Sequence, residues 1–522
     1  MSQTSRRAIL QALPAALLFV REAGAQAKRR YVVGPTKIAR NRAPNQVARL
    51  GSGPHLFLDD YLVLHQEGLA RTTHHPRRLP QPIITSKEFG VWQPFVTVVR
   101  DAEKGVFRMW YDAWSERPGI AKGNYLAYAE SKDGVEWRAP ELSVIGKSNL
   151  LMPILNGYGG SLIDEGPAFK DRARRFKLAW WGRKDPESDV DSGVFVAFSP
   201  DGLQWTPSDR NPVLPNFPDE SDPRYPQAAG DVIDVFWDPI AARYAAFIKT
   251  PAIPEDGWLQ APKANKNLRR LVSFSVSTDF VRWEMPWRVI VPGERDEGTL
   301  EFYAAGGTIA RGGLLVGCPR MLRDDLPADP GGPPEGIGYA TLVTSRDGES
   351  WERHSDVFFN RNLDPESWDH AMTWVGCQLL MADEVYLYYG GYKQGHKINR
   401  RSERQLGLAK LRRDGYVSRD AFGPDPGWLM TPLLRSERIT ALTVSAEASR
   451  GEIRVQVLDH GRQIVPGFSF QECAPLRGDG LRQAVTWSGG ASVTRLQPDP
   501  FHLEFRVTDA RLYGFEFDGN RT

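Results

Sequence analysis

The heptapeptide Ser-x-Asp-Gly-x-x-Trp recurs along the chain, and its spacing constrains the fold more than any other feature. It stands as SKDGVEW at 131–137, SPDGLQW at 199–205 and SRDGESW at 345–351. STDFVRW at 277–283 has Phe280 in the glycine position. A weaker copy, RRDGYVS at 412–418, keeps Asp414 and Gly415 but neither the Ser nor the Trp. The aspartates at 133, 201, 279, 347 and 414 are separated by 68, 78, 68 and 67 residues. Near-even steps mark one supersecondary unit used repeatedly. Asp-Gly suits the corner of a tight turn, and the Trp restarts an apolar run.

The segments around each copy read as strands. YLAYAE, VFVAF, LVSFSV, YATLVT and LGLAKL precede the turns. Upstream of them lie GVFRMWY (105–111), RRFKLAWW (174–181), ARYAAFI (242–248), GGLLVG (312–317) and DEVYLYY (383–389). A third run precedes these: PFVTVVRD, SLIDEGPAF, DVIDVFWD, FYAAGGTIA and AMTWVGCQLL. All are short, rich in aromatic and β-branched residues, and separated by turn residues. With a fourth strand led by the Trp, five four-stranded units describe a five-bladed β-propeller over residues 52–422. The Trp is expected to pack between neighbouring blades. Gly 49, Pro 39 and 11% aromatics suit such a chain of turns and packed sheets, and 522 residues exceed one ordinary core. After GPDPG (423–427), segments such as GEIRVQVLD and FHLEFRVTDA alternate apolar and polar residues. That period fits a small C-terminal β-sandwich over 424–522.

Arg6 and Arg7 precede the apolar AILQALPAALLFV, and AQA at 25–27 has the form of a cleavage site. Residues 1–27 therefore read as a twin-arginine export signal, with a periplasmic or secreted destination. The apolar run is too short for a permanent membrane span. Residues 28–51 read as a basic linker, with seven Lys or Arg and no acid over 28–50. A formal charge of +2 argues against nucleic acid as a main partner. Cys318, Cys377 and Cys473 read as small buried thiols, although Cys318 and Cys377 fall in adjacent blades. No Cys/His cluster has zinc spacing. A monomer without a cofactor is expected, with room for a structural cation in the channel.

A propeller followed by a sandwich resembles the invertase, levanase and arabinanase superfamily of glycoside hydrolases. LFLDDYLV (56–63), VFWD (235–238), YYGG (388–391), GLAKLRRDGYVS (407–418) and LYGFEF (512–517) are similar to a group of exported bacterial proteins related to it. The Asn-Asp-Pro, Arg-Asp-Pro and Glu-Cys signatures of invertases do not stand at their expected blades, and QECAP (471–475) lies in the sandwich. The resemblance implies carboxylates at the starts of the innermost strands, one per blade. Glycosidic cleavage needs one acid to protonate the leaving oxygen and a second carboxylate as nucleophile or base.

On that expectation Glu301 is the acid, Asp231 the base or nucleophile, and Asp164 a contact to a sugar hydroxyl or the transition state. Asp369 with His370 would hold substrate or a cation. Asp59 or Asp60 would fill the gap in blade 1, which offers only Glu88 upstream. Trp92, Trp368 and Trp374 are candidate stacking platforms, and His396 a sugar contact. Each aspartate also has a plain reading as a turn cap; Asp101, Asp171, Asp238 and the Asp-Gly pairs are read that way. Two functions remain open: an exported glycoside hydrolase, or a non-catalytic carbohydrate-binding or scaffold propeller.

Overall fold

The computed structural model describes residues 36–518 other than 155–156, 186–190, 217–228, 252–268, 294–295, 297–299, 397 and 399–402. The expected export signal of residues 1–27 lies outside the described residues. Among those described the chain is nearly all β; the one α-helix is the single turn Ser86–Phe89, capped by Thr85.

Five antiparallel meanders follow one another in the chain. The first runs through Val91–Asp101, Val106–Ser115 and Gly123–Ser131, and the second through Tyr158–Asp164, Phe176–Arg183 and Ser192–Ser199. The third comprises Ile233–Asp238, Arg243–Pro251, Arg270–Ser277 and Trp287–Ile290. The fourth uses Leu300–Arg311, Leu314–Arg323, Ile337–Ala340 and Val343–Ser345. The fifth uses Met372–Leu380, Glu384–Tyr392 and Gln405–Arg412. The first strand of each meander touches the first strand of the next, and the fifth touches the first, so the five close a ring. Each sheet is covered on both faces by its neighbours. That is why its strands read as near-continuous apolar runs rather than as alternation.

The repeated heptapeptide closes the third strand of each meander. In the first copy Ser131 Oγ accepts from Gly134 N at 2.8 Å, and Asp133 Oδ1 accepts from the N–H groups of Val135 at 2.8 Å and Glu136 at 2.9 Å. The second and fourth copies repeat these bonds at 2.8–2.9 Å. Each turn docks on the preceding meander. Gly134 O accepts from Tyr388, Gly202 O from Trp110, and Asp279 O from Arg174. Glu349 O accepts from Trp287, and Trp351 is fully buried against Phe247, 4.7 Å away, and Phe274. In the weak fifth copy, Asp414 takes a bidentate ion pair from Arg311 of the fourth meander.

The fifth copy lacks its Trp for a structural reason. Ser418 stands at that position, inside Val417–Ala421, which leaves the ring and joins the C-terminal sheet. The outermost strand of the fifth meander is instead Arg77–Arg78, from before the first meander, paired with Gln405–Arg412. The ring is thus closed by the two ends of its own stretch of chain.

The C-terminal sheet also draws on both sides of the ring. Ala441–Leu458 pairs along its first half with Leu476–Ala484 and Ala510–Asp518, and along its second half with His502–Thr508. His55–Leu56, His65–Glu67 and Ala70–Thr73 pair into this sheet, not into the ring. Phe57 lies 5.6 Å from Phe505 and 5.8 Å from Phe515, in the core that these strands enclose. The stretch 55–73, expected in the ring, is held there by this apolar burial. Residues 36–51 do not run as a free linker: Lys37 pairs with Glu349, Ile38 bridges Trp351, and Ala48–Leu50 pairs with Leu434–Ser436. The three cysteines are free and buried.

Candidate active site

An antiparallel ladder brings the end of each second strand beside the start of the first. Tyr158 faces Trp181, Ile233 faces Ile248, Glu301 faces Leu322, and Trp374 faces Gly390. The ring therefore has a start end and a finish end, and contacts between meanders mark both. At the start end Arg270 of the third meander pairs with Glu301 of the fourth. Tyr303 meets Trp374 of the fifth at 4.9 Å, and Arg404 of the fifth bonds Trp92 O at 3.1 Å and Gln93 Oε1 of the first. Trp92 stacks on Tyr158 of the second at 5.3 Å.

Two of the expected acids stand at this end. Glu301 is the second residue of its strand, and its side chain is 0% exposed. One oxygen takes the Arg270 guanidinium; the other, Oε1, is buried with no hydrogen-bond partner among the described residues. Burial pushes the Glu301 pKa above its usual value, helped by Asp324 and opposed by Arg270. Asp231 lies two residues before its strand, 40% exposed, and is ion-paired with Lys249. The ammonium of Lys249 sits 4.8 Å from the Tyr303 ring centre, and the Arg270 guanidinium 5.3 Å from it. Burial, and then the Arg270 cation, push the Lys249 pKa well below the usual lysine value, against the pull of Glu301. His396 covers the neighbouring rings, 5.6 Å from Tyr303 and 5.3 Å from Trp374.

The other expected residues are placed elsewhere. Asp164 is the last residue of Tyr158–Asp164, at the finish end, in a bidentate pair with Arg175 at 2.7 and 3.0 Å. It corresponds to Asp101 and Asp238, which end their own first strands beside Arg108 and Arg243. Asp164 therefore does not converge with Glu301 and is not a transition-state contact beside it. Asp60 binds Arg419 and Arg42 beside the C-terminal sheet, and Asp59 binds Arg346. Neither fills a gap at the ring. Asp369 is buried behind the first strand, where Ser367 donates at 2.6 Å, Tyr389 at 2.9 Å, and Arg78 stands at 3.3 Å. Trp368 stacks on Tyr389 there. The ring nitrogens of His370 are taken by Asn362 O and Asp329, both at 2.9 Å. These three are packing and tethering residues of the fifth meander. Trp92 is at the start end, but one face lies on Tyr158 and Trp114 crowds it at 5.4 Å. Tyr158 has Trp92 on one side and Trp181 on the other.

The structure adds residues that the sequence pattern does not single out. Lys249 lies near the end of a second strand, Arg270 opens a third, and Asp112 lies near the end of the second strand of the first meander. Asp112 accepts from Gly159 N at 3.2 Å. Burial lifts its pKa to about 7, although Gly159, Asn124 and Arg404 oppose the shift. The signal for them is strand direction: a rule that inspects only first-strand starts misses the second-strand ends that arrive at the same place. Among the described residues no group of three or more metal-ligating side chains forms.

No family model matches the chain, and no curated protein matches it. Solved structures similar to it are carbohydrate-active enzymes. One described as a glycoside hydrolase is 15% identical, with 67% of this chain and 92% of that one covered at a TM-score of 0.42. An N-acetylgalactosamine deacetylase from F. plautii, in complex with blood group B trisaccharide, is 16% identical over 67% of this chain and 97% of that one, at 0.40. The Bombyx mori GH32 beta-fructofuranosidase is 12% identical over 85% and 93%, at 0.39. With TM-scores this low, these likenesses decide nothing about the reaction.

Proposed function

We propose that the ring is a five-bladed β-propeller carrying a C-terminal β-sandwich, and that the chain is an exported glycoside hydrolase. The observation that carries this reading is Glu301: a fully buried carboxyl with a raised pKa and one oxygen without a partner, near the half-exposed Asp231. A raised carboxyl pKa moves a group toward the protonated form that a general acid uses, and a neighbouring carboxylate serves as nucleophile or base. Glu301 would protonate the leaving oxygen, and Asp231 would attack the anomeric carbon or activate water. Tyr303, Trp374 and His396 offer apolar ring surface beside them. The substrate is an oligo- or polysaccharide, and the protein acts as a monomer without a cofactor. No helix among the described residues is long and apolar enough to cross a membrane.

The test is a screen of the purified protein against aryl glycosides and oligosaccharides, with Glu301→Gln as control. Hydrolysis by the parent that is lost in the variant at unchanged melting temperature supports the reading. A second reading, saccharide binding without cleavage, is favoured by the cations that engage both carboxyls. Calorimetric binding of a saccharide from the same panel, with no product formed, would select it.

A further inference from the structure

We infer that Lys249 is a positioning residue that divides the work between the two carboxyls, holding Asp231 ionised beside the more deeply buried Glu301. This rests on the reading of Asp231 and Glu301 as the reacting pair. The main chain already ties Lys249 to Asp231: Gly230 N bonds Lys249 O at 2.8 Å, and Lys249 N bonds Val232 O at 3.0 Å. Asp231 is thus flanked on both sides by bonds to this one residue. Gly230 has no room for a side chain, since a Cβ would stand 2.4 Å from Lys249 O. The Lys249 side chain then turns to the carboxylate of Asp231 and closes an ion pair, which favours the charged ammonium against the burial and the Arg270 cation that push its pKa down.

The ammonium is confined on its other sides. The Tyr303 ring lies against it at 4.8 Å, with Arg270 on the same ring at 5.3 Å. Arg270 in turn binds Glu301 and stands 3.9 Å from Asp324. Arg269 adds a further cation beside Glu301, with its Nε on Leu300 O at 2.6 Å. Among the described residues the charged groups around Lys249 are therefore Asp231, Glu301 and Arg270, with Asp324 and Arg269 behind them.

A cation against a carboxylate favours its charged form, and burial favours the neutral form. Each carboxyl has a cation, Lys249 on Asp231 and Arg270 on Glu301, and what separates them is burial: Glu301 is 0% exposed and Asp231 40%. The site thereby separates the proton affinities of two carboxyls that would otherwise compete for one proton. With the Lys249 charge removed, Asp231 loses the cation that holds it ionised, so its proton affinity rises.

The experiment is a carboxyl titration by 13C NMR on protein labelled at Asp and Glu, comparing the parent with Lys249→Met and Lys249→Arg. Asp231→Asn and Glu301→Gln assign the signals. The expected result is a rise in the Asp231 midpoint by one pH unit or more in Lys249→Met, a tenfold gain in proton affinity, with Lys249→Arg close to the parent. Circular dichroism establishes that each variant is folded. On a substrate the parent cleaves, the acid limb of the pH–rate profile shifts upward by the same amount in Lys249→Met only. An unmoved Asp231 midpoint in folded Lys249→Met, or Lys249→Arg behaving as Met, overturns the inference. The titration needs no turnover, so it tests Lys249 even where the parent hydrolyses nothing and the hydrolase reading has failed.

Discussion

The two ends of the ring are built on opposite principles. At the finish end the same devices recur. Asp101, Asp164 and Asp238 each end a first strand beside an arginine that begins the second, and each repeat turn hands a carbonyl or carboxylate to the meander before it. At the start end nothing recurs. The residues in corresponding places are Gln93, Tyr158, Asp231, Glu301 and Met372, and Lys249, Glu301 and Asp112 at that end have pKa values moved off their usual range by burial. Repetition serves a scaffold, because one solution to packing a meander on its neighbour can be used again around the ring. A site needs different groups converging on one point, so it must break the repeat.

The sharpest way to break this comparison is to exchange the fates of one acid from each end. Glu301→Gln should lower turnover by about 10²–10⁴-fold with little change in melting temperature. Asp164→Ala should leave turnover intact and cost about 3 kcal/mol, since it strands the Arg175 guanidinium. Parallel turnover and urea-unfolding measurements decide it. A variant of Asp164 that is stable but inactive would show that the two ends had been assigned the wrong way round.

The next effect belongs to the scaffold alone. Trp351 is fully buried among Phe236, Phe247 and Phe274 of the preceding meander, whereas Trp137 is only half-buried against Tyr388. Trp351→Ala should destabilise by about 3–5 kcal/mol. Trp137→Ala should cost less. Equal losses in chemical denaturation would mean that the four tryptophans are not graded by burial.

How much was legible follows from the same contrast. The turns and strands could be read because each is a local pattern written several times. Asp164 was misplaced because its strand opens with Tyr158-Gly159-Gly160, and glycines hide a strand start. The run SLIDEG then looks like a beginning when it is an end. Asp369 fitted a rule of one acid per blade, but it is turned to Arg78, whose strand arrives from before the first meander and leaves no mark near residue 369. Lys249 and Arg270 were invisible for a different reason. Their partners Asp231 and Glu301 lie 18 and 31 residues away, and the second pairing crosses between meanders. Long-range electrostatics has no local pattern.

A smaller effect sharpens the comparison through pH. Asp112 is buried near the start end with its pKa lifted from 3.8 to about 7. The folded protein therefore binds a proton there more tightly than the unfolded chain does. Stability from this group is fully present below pH 3.8 and is lost as pH rises from there to about 7, by at most about 1.4 kcal/mol per pH unit. Asp112→Asn should remove that slope. Unfolding free energies at pH 5 and pH 7 would draw closer together in the variant than in the parent; an unchanged difference would place the proton elsewhere.

The repeat aspartates should show the opposite sign and the smallest size. The N–H groups of Glu136 and Val135 hold the carboxylate of Asp133 below the usual aspartate value. Asp201 and Asp279 are lowered as well, because the same kind of backbone donors outweigh the burial that pushes them up, and in Asp347 the Ser350 hydroxyl and then such backbone donors do the same. A depressed folded pKa gives stability that is present above about pH 3.8 and is lost as the pH falls through the folded value. Asp133 is solvent-exposed, so Asp133→Ala should cost only about 1 kcal/mol at neutral pH, the net worth of a turn hydrogen bond. That cost should shrink toward zero in acid, as the parent's own carboxylate becomes protonated. The measurement is the difference in unfolding free energy between parent and variant at pH 7 and near pH 3. A difference that stays constant would mean that Asp133 acts through the shape of its turn and not through its charge, and the finish end would then owe its stability to geometry alone.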